Sequence, residues 1–397
     1  MLLRSIDLFS GVGGLTLALR GVATPLAYCD SCPRATAVLE RHMRRGALPS
    51  APVCPDVRKL DRGWLEANAI RDGQVDMIVG GFPCVGFSVA GAQDGLKNPQ
   101  SALFHELLRV ADITGARMLF LENVPQILNI GIMQILRLLW KRGFSVRWCT
   151  VSACDVGAPQ QRRRWYCLAV RGDPPKPSRR RPAASSADRY RRFRWDDRTM
   201  PQRAGVNGIH EADATARVQL LGNSVVPDAV RYAFGYLHSG CVEGTFTAPP
   251  PGAWPAPVDV AAGRAREVRS GDKAPSCGYA PPRRVYALAA RPAPRGLRTS
   301  PIELLPDAYD SGREPSPLQT SERVTGPIKK RLWATPSYSF LGAANFLTTR
   351  NERHLQTQVR FERHTPEEAR GKPINPRFVE WLMGFPPDWT RGGERTS

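Results

Sequence analysis

Residues 6–21 read IDLFSGVGGLTLALRG. An apolar strand runs into the turn Ser10-Gly11-Val12-Gly13-Gly14, and a helical pattern follows. Strand, glycine-rich turn and helix in that order open the kind of α/β sheet that binds a nucleotide-type cofactor beyond the carboxyl ends of its strands. The bland alternative is a tight turn without a ligand. A Walker A phosphate loop is excluded, because no Gly-Lys-Ser/Thr follows the glycines. The next strand, PLAYCD at residues 25–30, ends on Asp30. An acid there accepts hydrogen bonds from a ribose or caps the helix expected over residues 33–44, and the two roles are compatible.

Four further segments extend the pattern. The apolar run DMIVGG leads into GGFPCVGFS, residues 80–88, on a loop at a strand's end. Flanking glycines let a ligand approach the backbone, and the thiol of Cys84 is either a nucleophile or an inert buried group. In MLFLENVPQIL, residues 118–128, Glu122 follows a buried strand, which makes it a candidate acid with a raised pKa. In VGAPQQRRRWYCLAV, residues 156–170, alternation puts Arg162 and Arg164 on one side of an extended chain; a solvated basic run is the alternative. In LLGNSVVPDAVRYAFGYL, residues 220–237, Gly222-Asn223-Ser224 reads as a turn and Pro227 as a helix's first turn. Ala229, Val230, Ala233, Phe234 and Leu237 then form a core stripe.

Strands are expected near residues 3–9, 26–30, 76–81, 118–122, 145–152 and 165–170. Helices are expected near 13–20, 33–44, 103–113 and 126–141. This alternation predicts an α/β fold, a doubly wound and mostly parallel sheet with helices on both faces.

Taken together, the five segments resemble the DNA cytosine-5 methyltransferase family. DLFSGVGG matches the cofactor loop, PCVGFS the nucleophile loop, ENV the acid, QQRRR a Gln-x-Arg-x-Arg strand, and GNSVVP the closing motif. The first four cover residues 1–170 almost completely. The resemblance implies a Rossmann-like, S-adenosyl-L-methionine-dependent methyltransferase acting on carbon 5 of cytosine in a specific duplex DNA sequence. By the same resemblance, Cys84 adds to carbon 6 of a flipped-out base, Glu122 serves nitrogen 3, and Arg164 contacts the base carbonyl. Arg162 positions the loop or a phosphate, Asn123 holds the loop carrying Cys84, and Pro83 and Gly86 shape it. The implied DNA contacts are Gly86, Ser88, Arg162 and Arg164. On the cofactor side the implied residues begin with Phe9 beside the adenine, with Ser10, Gly11, Gly13 and Gly14 facing the methionine part. Asp30 takes the ribose, Asp56 and Val57 lie near the adenine amino group, and Gly80, Phe82, Pro83 and Leu103 form a wall. Asn223, Ser224 and Val225 close the pocket. Ser31 stands where the family often carries a large side chain over the adenine. The implied enzyme is a monomer on double-stranded DNA. A cognate restriction endonuclease is a further partner that the resemblance implies. Two other readings are a tRNA cytosine-5 methyltransferase and an inactive DNA-binding relative. The long basic C-terminal region and the absent Cys-Phe-Thr signature weigh against the first; intact Cys84, Glu122 and Arg164 weigh against the second.

Composition agrees. A net charge of +20 on 397 residues favours a polyanionic partner, since Lys and Arg release counterions from DNA. A membrane surface competes with that, but no run of about 18 apolar residues exists. No signal peptide precedes Ser5-Ile6-Asp7, so an intracellular protein is expected. Of nine cysteines, Cys29 and Cys32 have CxxC spacing, but no second pair stands at zinc-finger distance, and no metal is expected. An odd count with a required free thiol favours a reducing compartment.

The expected organisation is a catalytic domain over residues 1–171 and 217–240, a basic linker or arm over 172–216, and a smaller irregular α+β recognition region over 241–397. The arm contains PPKPSRRRPAASSADRYRRFR, residues 174–194. The interval before GNSVVP is too short for a recognition domain. RLWATPSYS, residues 331–339, resembles the start of phage-like recognition regions. INPRFVEWLMGFPPDWT, residues 374–390, resembles a segment that usually precedes the closing motif. The recognition module therefore reads as displaced behind that motif. Asn375 and Pro376 begin a helix whose Phe378, Val379, Leu382 and Met383 face a core. The Gly-rich stretch after Cys84 reads as a lid over DNA.

Overall fold

The computed structural model of the chain describes residues 2–87, 94–172, 193–202, 211–239, 244–246 and 374–391. Eight strands form one sheet: β1 (Leu3–Leu8), β2 (Ala23–Cys29), β3 (Val53–Cys54), β4 (Met77–Gly80), β5 (Met118–Asn123), β6 (Phe144–Ser152), β7 (Arg163–Arg171) and β8 (Gly244–Phe246). Their spatial order is β3-β2-β1-β4-β5-β7-β6-β8. The first five pair in parallel, and β7 enters antiparallel between β5 and β6. The reversal matters for the site. It brings the start of β7 to the same edge as the ends of β4 and β5.

Strand residues alternate between two fully buried faces, as covered strands must. On β5, Leu119 and Leu121 enter one core and Phe120 the other; on β7, Trp165 and Cys167 oppose Tyr166 and Leu168. One face is covered by α4 (Leu103–Thr114), α5 (Ile127–Ile130) and α6 (Ile132–Trp140), with the short α3 (Arg62–Ala67). The other is covered by α1 (Gly14–Ala18), α2 (Pro33–Arg44), α7 (Glu211–Asn223), α8 (Pro227–His238) and α9 (Pro376–Met383). The sheet is thus doubly wound, as expected.

Helix α9 has the expected form. The side chain of Asn375 accepts from Arg377 N, Pro376 occupies the first turn, and Gly384 ends the helix at φ 75°. Its surroundings refine the organisation read from the sequence. Residues 374–391 share a core with α1, α2 and α8, and β8 extends the sheet beside β6. Both segments belong to the body that carries the cofactor loop, so the expected region 241–397 contributes to that body at its two ends. Residues 247–373 lie outside the described residues.

Several elements differ from expectation. The helix after the glycine turn is shorter than residues 13–20. Strand β3 and helix α3 are too short to show a period. Residues 211–216, expected in an irregular arm, begin α7; Gly222 and Asn223 end that helix instead of forming a turn. The helix expected over residues 126–141 is two helices broken at Gly131. A Cβ on Gly131 would lie 2.3 Å from the ring of Phe87, so the break makes room for the loop that carries Cys84.

Candidate active site

The ends of β4 and β5 and the start of β7 converge on one sheet edge. From β4 the chain passes through Gly81-Phe82-Pro83 to Cys84. Asn123, at the end of β5, donates its amide to Phe82 O at 3.1 Å and accepts from Val124 N. Cys84 O accepts from Phe87 N at 2.8 Å, and Phe87 is fully buried against Phe82. Cys84 itself is only partly buried. Its thiol is pushed above the usual cysteine range by burial and then by the nearby Glu122 charge, with Arg164 opposing.

Glu122 stands opposite Tyr166 on β7. Its carboxylate pairs with Arg164 Nε at 3.1 Å, with both side chains largely shielded. Burial raises the Glu122 pKa, while Arg164 and Arg162 pull it back. Burial thus favours the protonated carboxyl, and the two guanidiniums favour the charged one. Gly81 makes this possible: a Cβ there would stand 2.9 Å from Glu122 Oε2. Arg164 and Arg162 lie on one side of the strand, as alternation predicts, but do different things. Arg162 is buried, and its guanidinium donates to Gly222 O at 2.8 Å and to Ser224 O. Burial and then Arg164 lower its pKa to about 9, which leaves it a cation at neutral pH. It braces the closing motif from inside, and so is not placed to meet a phosphate.

On the neighbouring strand ends, Phe9 and Gly11 both adopt φ 55° and Gly13 φ 80°, which forms a left-handed turn after β1. Asp30 closes this turn, accepting from Gly11 N at 2.7 Å and Cys32 N at 2.8 Å. Helix α2 is capped by Cys32, so Asp30 is not its N-cap. Burial raises the Asp30 pKa against these two bonds. A Cβ on Gly11 would meet nothing within 4 Å, so the turn opens here onto free space. Gly14 faces the other way, onto Val225 and Ser224 of the closing motif. The Ser10 hydroxyl is spent inside the fold, donating to Asp7 O and accepting from Cys29 N. Asp56 is paired with Arg58, which lowers its pKa. Val57 and Phe82 are buried, Leu103 is half-buried, and Ser31 and Asn223 are exposed. Among the described residues, no cluster of His, Cys, Asp and Glu fits a metal ion, and no helix is long and apolar enough to cross a membrane.

A family profile for C-5 cytosine-specific DNA methylase matches residues 3–194. Type II methyltransferase M.CviJI of Paramecium bursaria Chlorella virus IL3A is 28% identical over 395 residues, 97% of each chain. Over residues 3–194 this chain is similar to the C-5 cytosine-specific DNA methylases, and its likeness to the viral methyltransferase spans nearly the whole length of both. The protein is an S-adenosyl-L-methionine-dependent enzyme that methylates DNA. Type II methyltransferase M.MspI of Moraxella sp is 31% identical, with 41% of this chain covering 38% of that one. Methyltransferase EhMeth of Entamoeba histolytica is a solved structure at 18% identity and TM-score 0.37, covering 45% of this chain and 56% of its own.

The structure brings Cys84, Glu122, Asn123 and Arg164 to one sheet edge. Ser88 lies outside the described residues. Gly86 is buried, with its N–H bonded to Ser101 and its carbonyl to Gly95 N. It shapes the loop and offers no free group to DNA. Two further residues hold this edge together. Gln160 is fully buried and donates to Leu382 O at 2.8 Å, which ties the arginine strand to α9. Trp389 donates its indole N–H to Val12 O, inside the cofactor turn, at 2.8 Å. The first of these sits in the quoted Gln-x-Arg-x-Arg pattern; the second had no local signal.

Proposed function

We propose that this enzyme methylates carbon 5 of cytosine within a specific duplex sequence, acting as a monomer in a reducing compartment, through base flipping and a covalent Cys84 adduct. The observation that carries the reading is the convergence of a partly buried thiol with a shielded Glu122–Arg164 pair at 3.1 Å on one sheet edge. Carbon 5 of cytosine is a poor nucleophile until a thiolate adds to carbon 6. That addition drives negative charge onto the ring. Glu122, whose carboxyl burial pushes toward the protonated form, donates to nitrogen 3, and Arg164 stabilises the base carbonyl. Protonated Glu122 no longer repels the thiolate, so the same proton assists both events. The target atom is inaccessible in a stacked duplex, and the base must leave the helix to reach Cys84.

The cofactor residues fit a nucleoside with a charged amino-acid tail. Asp30 offers a carboxylate at the end of β2, Gly11 leaves open space, and Leu103, Phe82 and Val57 supply apolar walls. When bound, S-adenosyl-L-methionine supplies an electrophilic methyl group. Phe9 flanks the adenine, and Ser224 and Val225 close the pocket against Gly14. With 211–239 and 374–391 built into the catalytic body, target recognition is assigned to residues 247–373, helped by the basic stretch 174–194.

The test is methyl transfer to duplex DNA with labelled cofactor, followed by bisulfite sequencing of the product. Cys84→Ser should abolish transfer and keep DNA binding. DNA with 5-fluorocytosine at the mapped site should trap Cys84 covalently, because fluorine cannot leave as the proton does. Substantial turnover by Cys84→Ser, or an adduct on another cysteine, would overturn the mechanism.

A further inference from the structure

We infer that Ser101 is a positioning residue for the nucleophile, setting the turn that presents Cys84; the inference rests on Cys84 being the nucleophile. Ser101 lies just ahead of α4, fully buried. Its hydroxyl accepts from Gly86 N at 2.9 Å and donates to Pro83 O at 3.1 Å. One side chain thus spans the residues immediately before and two after Cys84. No other side chain bonds the backbone on both sides of the thiol among the described residues.

The geometry suits the task. A hydroxyl is the smallest group that both donates and accepts, and its rotor lets it satisfy the two sites at once. Ser101 is held in turn by Asn98, whose Oδ1 accepts from Gln100 N at 3.0 Å and Ser101 N at 3.5 Å and whose backbone O accepts from Ala102 N at 2.8 Å. Gly86 is pressed onto this support, since a Cβ would lie 2.1 Å from Gly95 O and 2.9 Å from Asn98 Cβ. On the other flank, Asn123 holds Phe82 O. The turn is therefore clamped from α4 through Ser101 and from β5 through Asn123. Asn123 fixes where the loop leaves the sheet; Ser101 fixes the turn that aims the thiol. Misplacement of a reacting atom by about 1 Å costs on the order of 100-fold in rate.

Ser101 is fully buried with its hydroxyl engaged by the loop backbone, so its loss should act on the chemical step. For Ser101→Ala, kcat and the rate of covalent trapping on 5-fluorocytosine DNA should fall about 10- to 100-fold. The dissociation constants for S-adenosylhomocysteine and DNA should stay within about twofold, and the melting temperature within a few degrees. Ser101→Thr keeps the hydroxyl and should recover most of the trapping rate. Three results would overturn the inference: Ser101→Ala trapping within twofold of the parent, a folded Ser101→Ala that loses cofactor binding in parallel, or a folded Ser101→Thr as slow as Ser101→Ala. If Ser101→Ala does not fold, Ser101→Thr decides together with amide exchange, where the parent's Gly86 N–H must be protected. A parent enzyme that traps nothing at Cys84 would refute the covalent reading instead, so the two failures are separate.

Discussion

Replacing Glu380 by alanine should destabilise the enzyme by about 3–5 kcal/mol. Glu380 is fully buried on α9 and accepts from Arg217 on α7 at 3.0 Å, from Asp388 N at 2.7 Å and from Thr390 N at 2.8 Å. Arg217 is 3% exposed. Removing the carboxylate strands a guanidinium that cannot be rehydrated, and breaking such a pair costs about 3–5 kcal/mol. Two backbone donors also lose their acceptor, at about 1–3 kcal/mol each where water is excluded. Asp388 Oδ1, 3.3 Å from Arg217, recovers part of the charge, though it is already engaged with Arg377 at 2.7 Å. The terms overlap, so the pair-breaking range stands as the estimate. Against a total stability of about 5–15 kcal/mol, urea unfolding followed by tryptophan fluorescence would show the change plainly. Glu380→Leu combined with Arg217→Met removes both charges and should recover much of the loss. A single variant costing under about 1 kcal/mol, or a double variant no better than the single, would refute the reasoning.

Three further outcomes are expected. Glu122→Gln removes the charge that raises the Cys84 pKa, so the pH midpoint for alkylation of Cys84 should move lower; an unchanged or higher midpoint contradicts the electrostatics. Arg162→Met releases the carbonyls of Gly222 and Ser224, and calorimetry should show cofactor affinity down about tenfold. Asp7 is buried beneath the cofactor turn, bonded to Thr16 at 2.6 Å, with its pKa raised from 3.8 to about 7, chiefly by burial. The folded state binds this proton more tightly, so its contribution is complete below the unfolded pKa and lost as pH rises through about 7. Asp7→Asn should therefore gain stability relative to the parent between about pH 4 and 7, approaching a limit of about 4 kcal/mol, and chemical unfolding at several pH values measures it.

What could be read in the chain follows from where the information resides. Cys84, Glu122 and Arg164 sit at strand ends, where a local strand signal also fixes the sheet edge, so their meeting was readable. Asp30 was readable too, but not its choice of the Gly11 and Cys32 amides over a capping role. Arg162 was misread in part because alternation gives its side, not its depth; only the packed α7 shows that its side faces carbonyls. Ser101 had no signal at all. Its neighbours are fifteen and eighteen residues away in sequence, and nothing in NPQSALF distinguishes a clamp from an ordinary helix start. The broken helix at Gly131 was hidden for the same reason, since the ring that demands the break belongs to Phe87.

Segment 374–391, far along the chain from its packing partners, shows how little chain order matters to this fold. Its contacts are side-on: Glu380 to Arg217, Leu382 O to Gln160, Trp389 to Val12, and the Trp389 ring stacked on His42 at 3.7 Å. None depends on the direction from which the chain arrives. The cost of bringing the segment back from a distant position is loop-closure entropy, which rises only about 0.6 kcal/mol for each doubling of the loop. Arg217 and Glu380 are 163 residues apart. Even a loop several doublings longer than a direct connection adds only about 2 kcal/mol. Burying Phe378, Val379, Leu382 and Met383, each fully enclosed, contributes about 1.5–3 kcal/mol per side chain. The packing term exceeds the entropy term several-fold, so the segment can sit behind the closing motif and still complete the core beneath the cofactor turn. A long stretch is thereby free to serve recognition while both of its ends stay anchored, at β8 on the sheet edge and at α9 in the core.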